Sequence, residues 1–87
     1  MRESAIEKQV CSIARNRGWL AYKWASPNQR GVPDRIFIKN GQILLAEFKA
    51  PGKKPTPLQA HIHQKLQQQG INVRVIDSVE TGITLFA

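Results

Sequence analysis

Two carboxylates and one amine, at Asp34, Glu47 and Lys49, lie on the two sides of a predicted β-hairpin. The hairpin is indicated by apolar segments at residues 34–39 and 42–49, which are separated only by Asn-Gly, a pair that tolerates the positive φ angles of a tight turn. A two-residue turn fixes the register, and counting outward from it places Asp34 directly opposite Glu47. Lys49 lies two residues beyond Glu47, so its side chain points to the same face of the strand.

Paired carboxylates of this kind are typical of a metal-binding site. Two like charges that face each other across a hairpin destabilise it unless a positive charge lies between them. Carboxylates without histidine or cysteine suit a hard divalent cation, Mg²⁺ or Mn²⁺, and a water molecule on such a cation can act as a nucleophile. The alternative is a solvated group of charges on a surface hairpin. Burial is favoured by the apolar residues that share the face of the carboxylates: Ile36, Ile38, Ile43 and Leu45.

Helices and strands on both sides of the hairpin must hold these side chains in place. Between turn-forming residues, apolar residues recur at helical spacing or alternate as they do in a strand. The predicted elements are a helix at residues 4–17, a strand at 19–24, a loop at 26–33, the hairpin strands at 34–39 and 42–49, a loop at 50–57, a helix at 57–69 and a strand at 71–77. The tail, residues 78–87, is compatible with either a short helix or a strand.

Capping patterns indicate where both helices begin. Ser4 followed by Glu7 is a capping-box pattern, and Thr56 followed by Gln59 is a second one, with proline at the first helical position. The element order is α-β-β-β-α-β, which predicts an α/β fold with a mixed β-sheet flanked by helices. At 87 residues, the chain is expected to form a single domain, residues 1–87.

The composition is strongly basic, with 13 Lys and Arg residues against 6 Asp and Glu residues and a formal net charge of +7. Such an excess favours a polyanionic partner, because each cation that meets a phosphate releases a condensed counterion. We expect nucleic acid and no membrane, since no apolar segment approaches the length that spans a bilayer. The single cysteine, Cys11, is expected to be a small buried side chain. It permits no internal disulfide, and the first ten residues lack the apolar core of a signal peptide, so a cytoplasmic location is expected.

The motif around the hairpin resembles that of a known nuclease family. Gly31-Val-Pro-Asp34, then Glu47-Phe-Lys49, then Gln59 in the next helix, is similar to the pattern of the PD-(D/E)xK nuclease superfamily. Within that superfamily the chain most resembles the virus-type replication–repair nuclease family, the VRR-NUC domain, in its short stand-alone form found in phages. The resemblance extends from Glu7 to the strand that ends near Asp77. A lone (D/E)xK occurs often by chance, whereas the whole combination at this spacing is specific.

This resemblance implies a restriction-endonuclease-like core and a role for each residue at its centre. Asp34 and Glu47 would bind the catalytic Mg²⁺ or Mn²⁺, helped by the main-chain carbonyl of Phe48. Lys49 would position or activate the attacking water and stabilise the charged transition state.

Four further residues would act around that centre according to the resemblance. Gln59 would help organise the site, and Glu7 would be an additional metal ligand, directly or through water. Lys23 and Ser26 would lie near the substrate phosphate. Helix capping alone is an alternative explanation for Glu7 and Gln59, and Glu3 is a rival for the acidic residue of the first helix.

Basic residues outside the motif are candidates for binding the nucleic-acid backbone. Arg30 and Arg35 flank Asp34, and Lys53 and Lys54 lie in the loop after the hairpin. Phosphate contacts by such residues would position the nucleic acid without selecting a base sequence. Solvated side chains without a ligand are the alternative.

Aromatic and histidine residues supply weaker signals. Trp19, Tyr22 and Trp24 could stack on bases, although aromatic residues in a strand are more typical of a core. His61 and His63 are two residues apart on a helix, so they do not share a face and form a poor metal pair. We predict that both histidines are exposed or contact phosphate.

The combined prediction is a metal-dependent deoxyribonuclease that hydrolyses phosphodiester bonds without a small-molecule cofactor. By the resemblance, it would act as a homodimer on branched or junction DNA in replication, repair or recombination, in the cytoplasm of a bacterium or a phage-infected host. One alternative is a non-catalytic nucleic-acid-binding module with the same fold. Another is a nuclease subunit that needs a partner protein.

Overall fold

The computed structural model describes all 87 residues, which form three helices and one four-stranded sheet. The helices are α1 (Glu3–Asn16), α2 (Pro57–Gln68) and α3 (Val79–Leu85). The strands are β1 (Leu20–Lys23), β2 (Arg35–Lys39), β3 (Gln42–Phe48) and β4 (Asn72–Ile76). The predicted order α-β-β-β-α-β is confirmed, and the tail that was compatible with two structures contains the short helix α3.

The hairpin of β2 and β3 has the predicted turn and register. Asn40 has φ 49° and Gly41 has φ 78°, and positive values at both positions are those of a type I′ turn. Lys39 pairs with Gln42, and the antiparallel pairing continues in step as far as Arg35 and Ala46. The next pair outward is therefore Asp34 and Glu47.

The sheet is mixed, as predicted, with the strand order β1-β2-β3-β4. β1, β2 and β3 are antiparallel to their neighbours, whereas β4 is parallel to β3. A parallel connection needs a crossover, and α2 supplies it. β3 therefore has a hydrogen-bonded partner on each side, and its last five residues are all buried.

The main core lies between one face of the sheet and the helices α1 and α3. Its largest side chains include Phe37 and Phe86, with ring centroids 4.3 Å apart, and Trp19, which packs edge-on against Phe86. The buried cluster comprises Ile6, Val10, Cys11, Ala14, Trp19, Ala21, Phe37, Leu44, Ala46, Phe48, Ile76 and Phe86. Cys11 is thus the small buried side chain that was predicted.

The other face of the sheet is covered over only half its width. α2 packs against β4, and its side chains reach Glu47 on β3. Leu45 and Val73 are buried on this face. The strands β1 and β2 have no helix on this face, and Tyr22 is 57% exposed. The expectation that the apolar residues beside the carboxylates are all buried is therefore only partly right. We call the uncovered part the open half-face: Leu20, Tyr22, Ile36, Ile38 and Ile43.

The two predicted capping boxes have different outcomes. At α2, Thr56 Oγ1 accepts the Gln59 N–H and Gln59 Oε1 accepts the Thr56 N–H, so this capping box is confirmed. At α1 the prediction was wrong, because the helix begins one residue earlier and Arg2 is the N-cap, without a side-chain cap. Ser4 is therefore already inside the helix. None of the three helices combines the length and the apolar character needed to cross a membrane.

Candidate active site

The loop before β2 is fixed against α2 and delivers Asp34 to the sheet. Gly31 has φ +86°, and a Cβ atom there would come within 3.2 Å of Leu58 and Ile62 on α2. Only glycine allows both this backbone angle and this close approach. Pro33 is fully buried directly before Asp34. The position of Asp34 thus depends on packing between the loop and α2 as well as on the hairpin.

Asp34 is held against the end of β3 by its own carboxylate. Its Oδ2 accepts the main-chain N–H of Phe48 at 2.8 Å. This hydrogen bond crosses the end of the hairpin and continues the pairing of β2 with β3 beyond Arg35. It leaves the Asp34 carboxylate beside that of Glu47.

Glu47 is a buried carboxyl group in a crowded acidic environment. The residue is only 3% exposed. Burial, followed by the neighbouring Asp34 carboxylate, raises the pKa of Glu47 to about 8. Glu3 also raises this pKa, whereas Lys49 lowers it. A solvated surface pair is therefore excluded for Glu47.

Lys49 brings a positive charge to the same face, as its spacing from Glu47 predicted. Its Nζ lies 3.9 Å from Glu47 Oε2. The Lys49 N–H donates to the carbonyl of Ile76 at 3.0 Å, which extends the pairing of β3 with β4 by one residue. The base of the lysine side chain is therefore fixed by the sheet, while its amine faces the carboxylate.

Gln59 reaches the cluster from α2 while it caps that helix. Its Nε2 donates to Glu47 Oε2 at 3.3 Å. Its Oε1 accepts the Thr56 N–H at 2.9 Å. Capping and contact with the acidic cluster were alternatives for this residue in the sequence, and one side-chain amide does both.

His63 also belongs to the cluster, contrary to the expectation from the sequence. Its Nε2 lies 3.7 Å from Glu47 Oε1, and the residue is only 5% exposed. Burial lowers the pKa of His63, and the charge of Lys49 lowers it further, whereas Asp34 acts in the opposite direction. The prediction that both histidines are exposed or contact phosphate was wrong for His63, while His61 is exposed. The available signal was the spacing of four residues from Gln59, which puts both side chains on one helix face.

Glu7 and Arg35 form a pair of their own. Arg35 Nε lies 2.6 Å from Glu7 Oε2, and each side chain is 15% exposed. Arg35 points from β2 toward α1, on the face opposite to that of Asp34. The Glu7 carboxylate and the Arg35 guanidinium are thus bound to each other.

The remaining candidates for phosphate contacts lie at the end of β1 or in the loops that follow β1 and β3. The loop between β3 and α2 is anchored where the Gly52 N–H donates to an Asp77 carboxylate oxygen at 3.2 Å. Ser26 is half-buried in the loop before β2. The exposed candidates are Lys23, Arg30, Lys53 and Lys54.

The donor set at the cluster fits a hard divalent cation. Asp34 and Glu47 provide carboxylate oxygens, and Glu47 Oε1 is buried without a hydrogen-bond partner. The chain contains no group of three or more His, Cys, Asp or Glu side chains arranged to hold a metal. Two carboxylates are nevertheless sufficient protein ligands for Mg²⁺, which keeps several of its water molecules when it binds.

Comparisons with known proteins agree with this geometry. No protein-family model matches the chain. The chain is 49% identical over 86 residues to a protein of Acyrthosiphon pisum secondary endosymbiont phage 1 named "Putative nuclease p44", which covers 98% of this chain and 92% of the relative. A solved structure described as a VRR_NUC domain superposes with a TM-score of 0.88 at 27% identity, covering 95% of this chain and 91% of the other. The predicted restriction-endonuclease-like fold is thereby confirmed, and the chain belongs to the VRR-NUC family of nucleases.

Proposed function

We propose that this protein is a divalent-metal-dependent deoxyribonuclease that hydrolyses phosphodiester bonds. The observation that carries the proposal is the Glu47 carboxyl, which is buried beside Asp34 with one oxygen unpartnered. Buried charges of like sign are costly unless a cation compensates them. A divalent cation bound here would therefore turn an unfavourable pair of acids into a pair of ligands.

Asp34, Glu47 and the main-chain carbonyl of Phe48 would hold Mg²⁺ or Mn²⁺. A cation of this kind polarises a phosphoryl oxygen and lowers the pKa of a bound water. Asp34 is already oriented by the Phe48 N–H, and Glu47 is oriented by Gln59. Glu7 would contribute only through water, since Arg35 binds its Oε2 atom on the α1 side of the sheet.

Lys49 would act on the scissile phosphate and on the attacking water. Its amine lies at the edge of the acidic cluster, and its side chain is 15% exposed, so it can meet a substrate. A fixed ammonium there would stabilise the negative charge that develops on the phosphate oxygens. It would also orient the water for in-line attack.

Backbone binding would come from the exposed cations around the cluster. Lys53 and Lys54 lie in the loop between β3 and α2, Lys23 is the last residue of β1, and Ser26 and Arg30 lie in the loop before β2. These groups would bind phosphates whatever the base sequence. The affinity for DNA would therefore fall as the salt concentration rises. Arg35 is held by Glu7, so it would reach phosphate only if that ion pair opened.

We further propose that two copies associate through the open half-face to form a homodimer. Five apolar side chains share this surface, and Leu20, Tyr22 and Ile43 are each about half exposed or more. Contiguous exposed apolar surface marks interaction sites in small proteins. A two-fold dimer would present two active sites, which suits branched or junction DNA. The phage origin of one relative supports action in the cytoplasm of a bacterium or an infected host cell. There the protein would act in DNA replication, repair or recombination, as its family resemblance implies.

The test is cleavage of a substrate panel of single strand, duplex, flap, splayed arm and four-way junction, with Mg²⁺, Mn²⁺ or EDTA. Asp34→Ala, Glu47→Ala and Lys49→Ala should each reduce cleavage by about a hundredfold or more while DNA binding persists. Lys8→Ala, which removes an exposed lysine of α1, is the matched control and should cut like the wild type. Tight DNA binding without cleavage by the wild type under every metal would refute the proposal and favour a binding module or a subunit that needs a partner.

A further inference from the structure

Two buried polar atoms face each other beside the candidate active site. His63 Nε2 and Glu47 Oε1 are 3.7 Å apart, and neither has a hydrogen-bond partner. Buried polar atoms without a partner are uncommon in folded proteins. Here a potential donor faces an acceptor slightly beyond hydrogen-bond distance. A small movement of either side chain would join them.

The other oxygen of the same carboxylate is already held by the same helix. Gln59 Nε2 donates to Glu47 Oε2 at 3.3 Å. Gln59 and His63 are four residues apart on α2, so their side chains lie side by side on one face. α2 thus presents one nitrogen to each oxygen of Glu47.

We propose that His63 is a positioning residue whose Nε2–H donates to Glu47 Oε1 and fixes the orientation of this carboxylate for metal binding. The inference rests on the proposed metal-dependent function. A carboxylate held at both oxygens is prevented from rotating. Hydrogen bonds from residues that do not themselves bind the metal orient the ligands of metal sites in this way. Each carboxylate oxygen has two lone pairs, so the hydrogen bonds leave capacity for a cation.

Two other roles for His63 give different results. A histidine that only fills space between α2 and the sheet would affect stability without affecting metal affinity. A histidine that binds the cation through Nε2 would place a nitrogen in direct contact with it. Measurements of Mn²⁺ binding without DNA separate these roles from positioning.

The experiment compares Mn²⁺ affinity, measured by calorimetry or electron paramagnetic resonance, across matched variants of the whole chain. His63→Leu places an apolar side chain at this buried position and removes the donor, whereas His63→Gln supplies an amide N–H in place of the imidazole N–H. His61→Leu is the control, since this residue is exposed on the same helix. We expect His63→Leu to bind Mn²⁺ roughly 10- to 100-fold more weakly, His63→Gln to recover most of the loss, and His61→Leu to match the wild type.

Unchanged Mn²⁺ affinity in a folded His63→Leu protein would overturn the proposal. A directly bonded histidine nitrogen in the pulsed spectrum of the Mn²⁺-loaded wild type would also overturn it. If thermal unfolding in EDTA shows that His63→Leu does not fold, His63→Gln is compared with His63→Asn, whose shorter side chain withdraws the amide. Weaker binding by His63→Asn supports positioning, and equal binding refutes it. Absence of Mn²⁺ binding by the wild type would instead refute the proposed function itself, together with this inference.

Discussion

The Arg35 guanidinium binds the Glu7 carboxylate across the interface between β2 and α1, with 2.6 Å between Nε and Oε2. Arg35 directly follows Asp34, so the ion pair fixes the start of β2 next to the acidic cluster. Both side chains are largely shielded from water, where a charged hydrogen bond is stronger than at the surface.

Breaking this ion pair is expected to lower the free energy of unfolding and to leave the affinity for Mn²⁺ largely unchanged. Glu7→Gln and Arg35→Met should each lower the free energy of unfolding by about 2 kcal/mol, whereas the double variant should lose less than the sum. Urea unfolding of the four proteins checks this, since residues in contact are not additive. Glu7→Gln should keep most of the Mn²⁺ affinity that Glu47→Gln loses. A loss of affinity as large as that of Glu47→Gln would make Glu7 a direct ligand.

The two functions of the Gln59 amide can be separated by comparing it with its capping partner. Thr56→Ala removes the hydrogen bond from the Gln59 N–H to Thr56 Oγ1 but leaves the contact between Gln59 and Glu47. Gln59→Ala keeps that backbone donor but removes both the Oε1 acceptor of the Thr56 N–H and the contact with Glu47. Each variant should lose about 1 kcal/mol of stability. Only Gln59→Ala should slow single-turnover cleavage. Equal cleavage rates for the two variants would show that Gln59 is a capping residue alone.

The metal-free protein should become less stable as the pH rises from about 6.5 to 8. Glu47 has a folded-state pKa of about 8 against an ordinary value of 4.5. In this range the folded protein keeps a proton that the unfolded chain has lost, so rising pH favours unfolding. His63 has the opposite effect, because its pKa is lowered, but that effect ends near the ordinary histidine pKa of about 6.5.

The measurement is denaturant unfolding in EDTA across this pH range, for the wild type and for Glu47→Gln. The wild type should lose up to about 1.4 kcal/mol per pH unit relative to the variant, which has no carboxyl at this position to titrate. Asp34, Lys49 and His63 remain in both proteins and serve as the common background. Parallel stability curves would show that Glu47 does not titrate in this range.

Charge on the open half-face should prevent self-association. Ile38→Glu and Tyr22→Glu place carboxylates on the surface that we propose as the dimer interface, and a like-charge pair across a two-fold axis is repulsive. Analytical ultracentrifugation should give a dimer for the wild type and a monomer for both variants. Gln9→Glu, on the exposed side of α1, should remain a dimer. A monomeric wild type would remove this part of the proposal.

The elements that the sequence predicted best are those in which local chemistry decides the structure. Asn40-Gly41 determines both the turn and the register, and Thr56 with Gln59 determines the start of α2. Ser4 does not cap α1, because a serine followed three residues later by a glutamate also occurs inside helices. The Glu7 side chain binds Arg35 and does not take part in a capping box.

The features that the sequence did not predict depend on how α2 sits on the sheet. His63 is buried because the orientation of α2 about its own axis directs this side chain toward Glu47. The spacing of residues in the sequence does not specify that orientation. The open half-face has the same origin, since Ile36 and Ile38 alternate like buried strand residues yet have no helix above them. Tertiary placement decided both outcomes.

The position of Glu47 on β3 separates the proposed hydrolytic centre from the loops proposed to contact DNA. β3 is paired along both edges, so its residues have little freedom to change. The cations proposed to contact DNA lie mainly on the loops that join β1 to β2 and β3 to α2. The exposed side chains of these loops, which do not include Asp34 and Lys49, tolerate exchange far better than those of a central strand do. Variation or engineering of these loops can therefore give enzymes with different DNA preferences while the acidic cluster and its lysine stay the same.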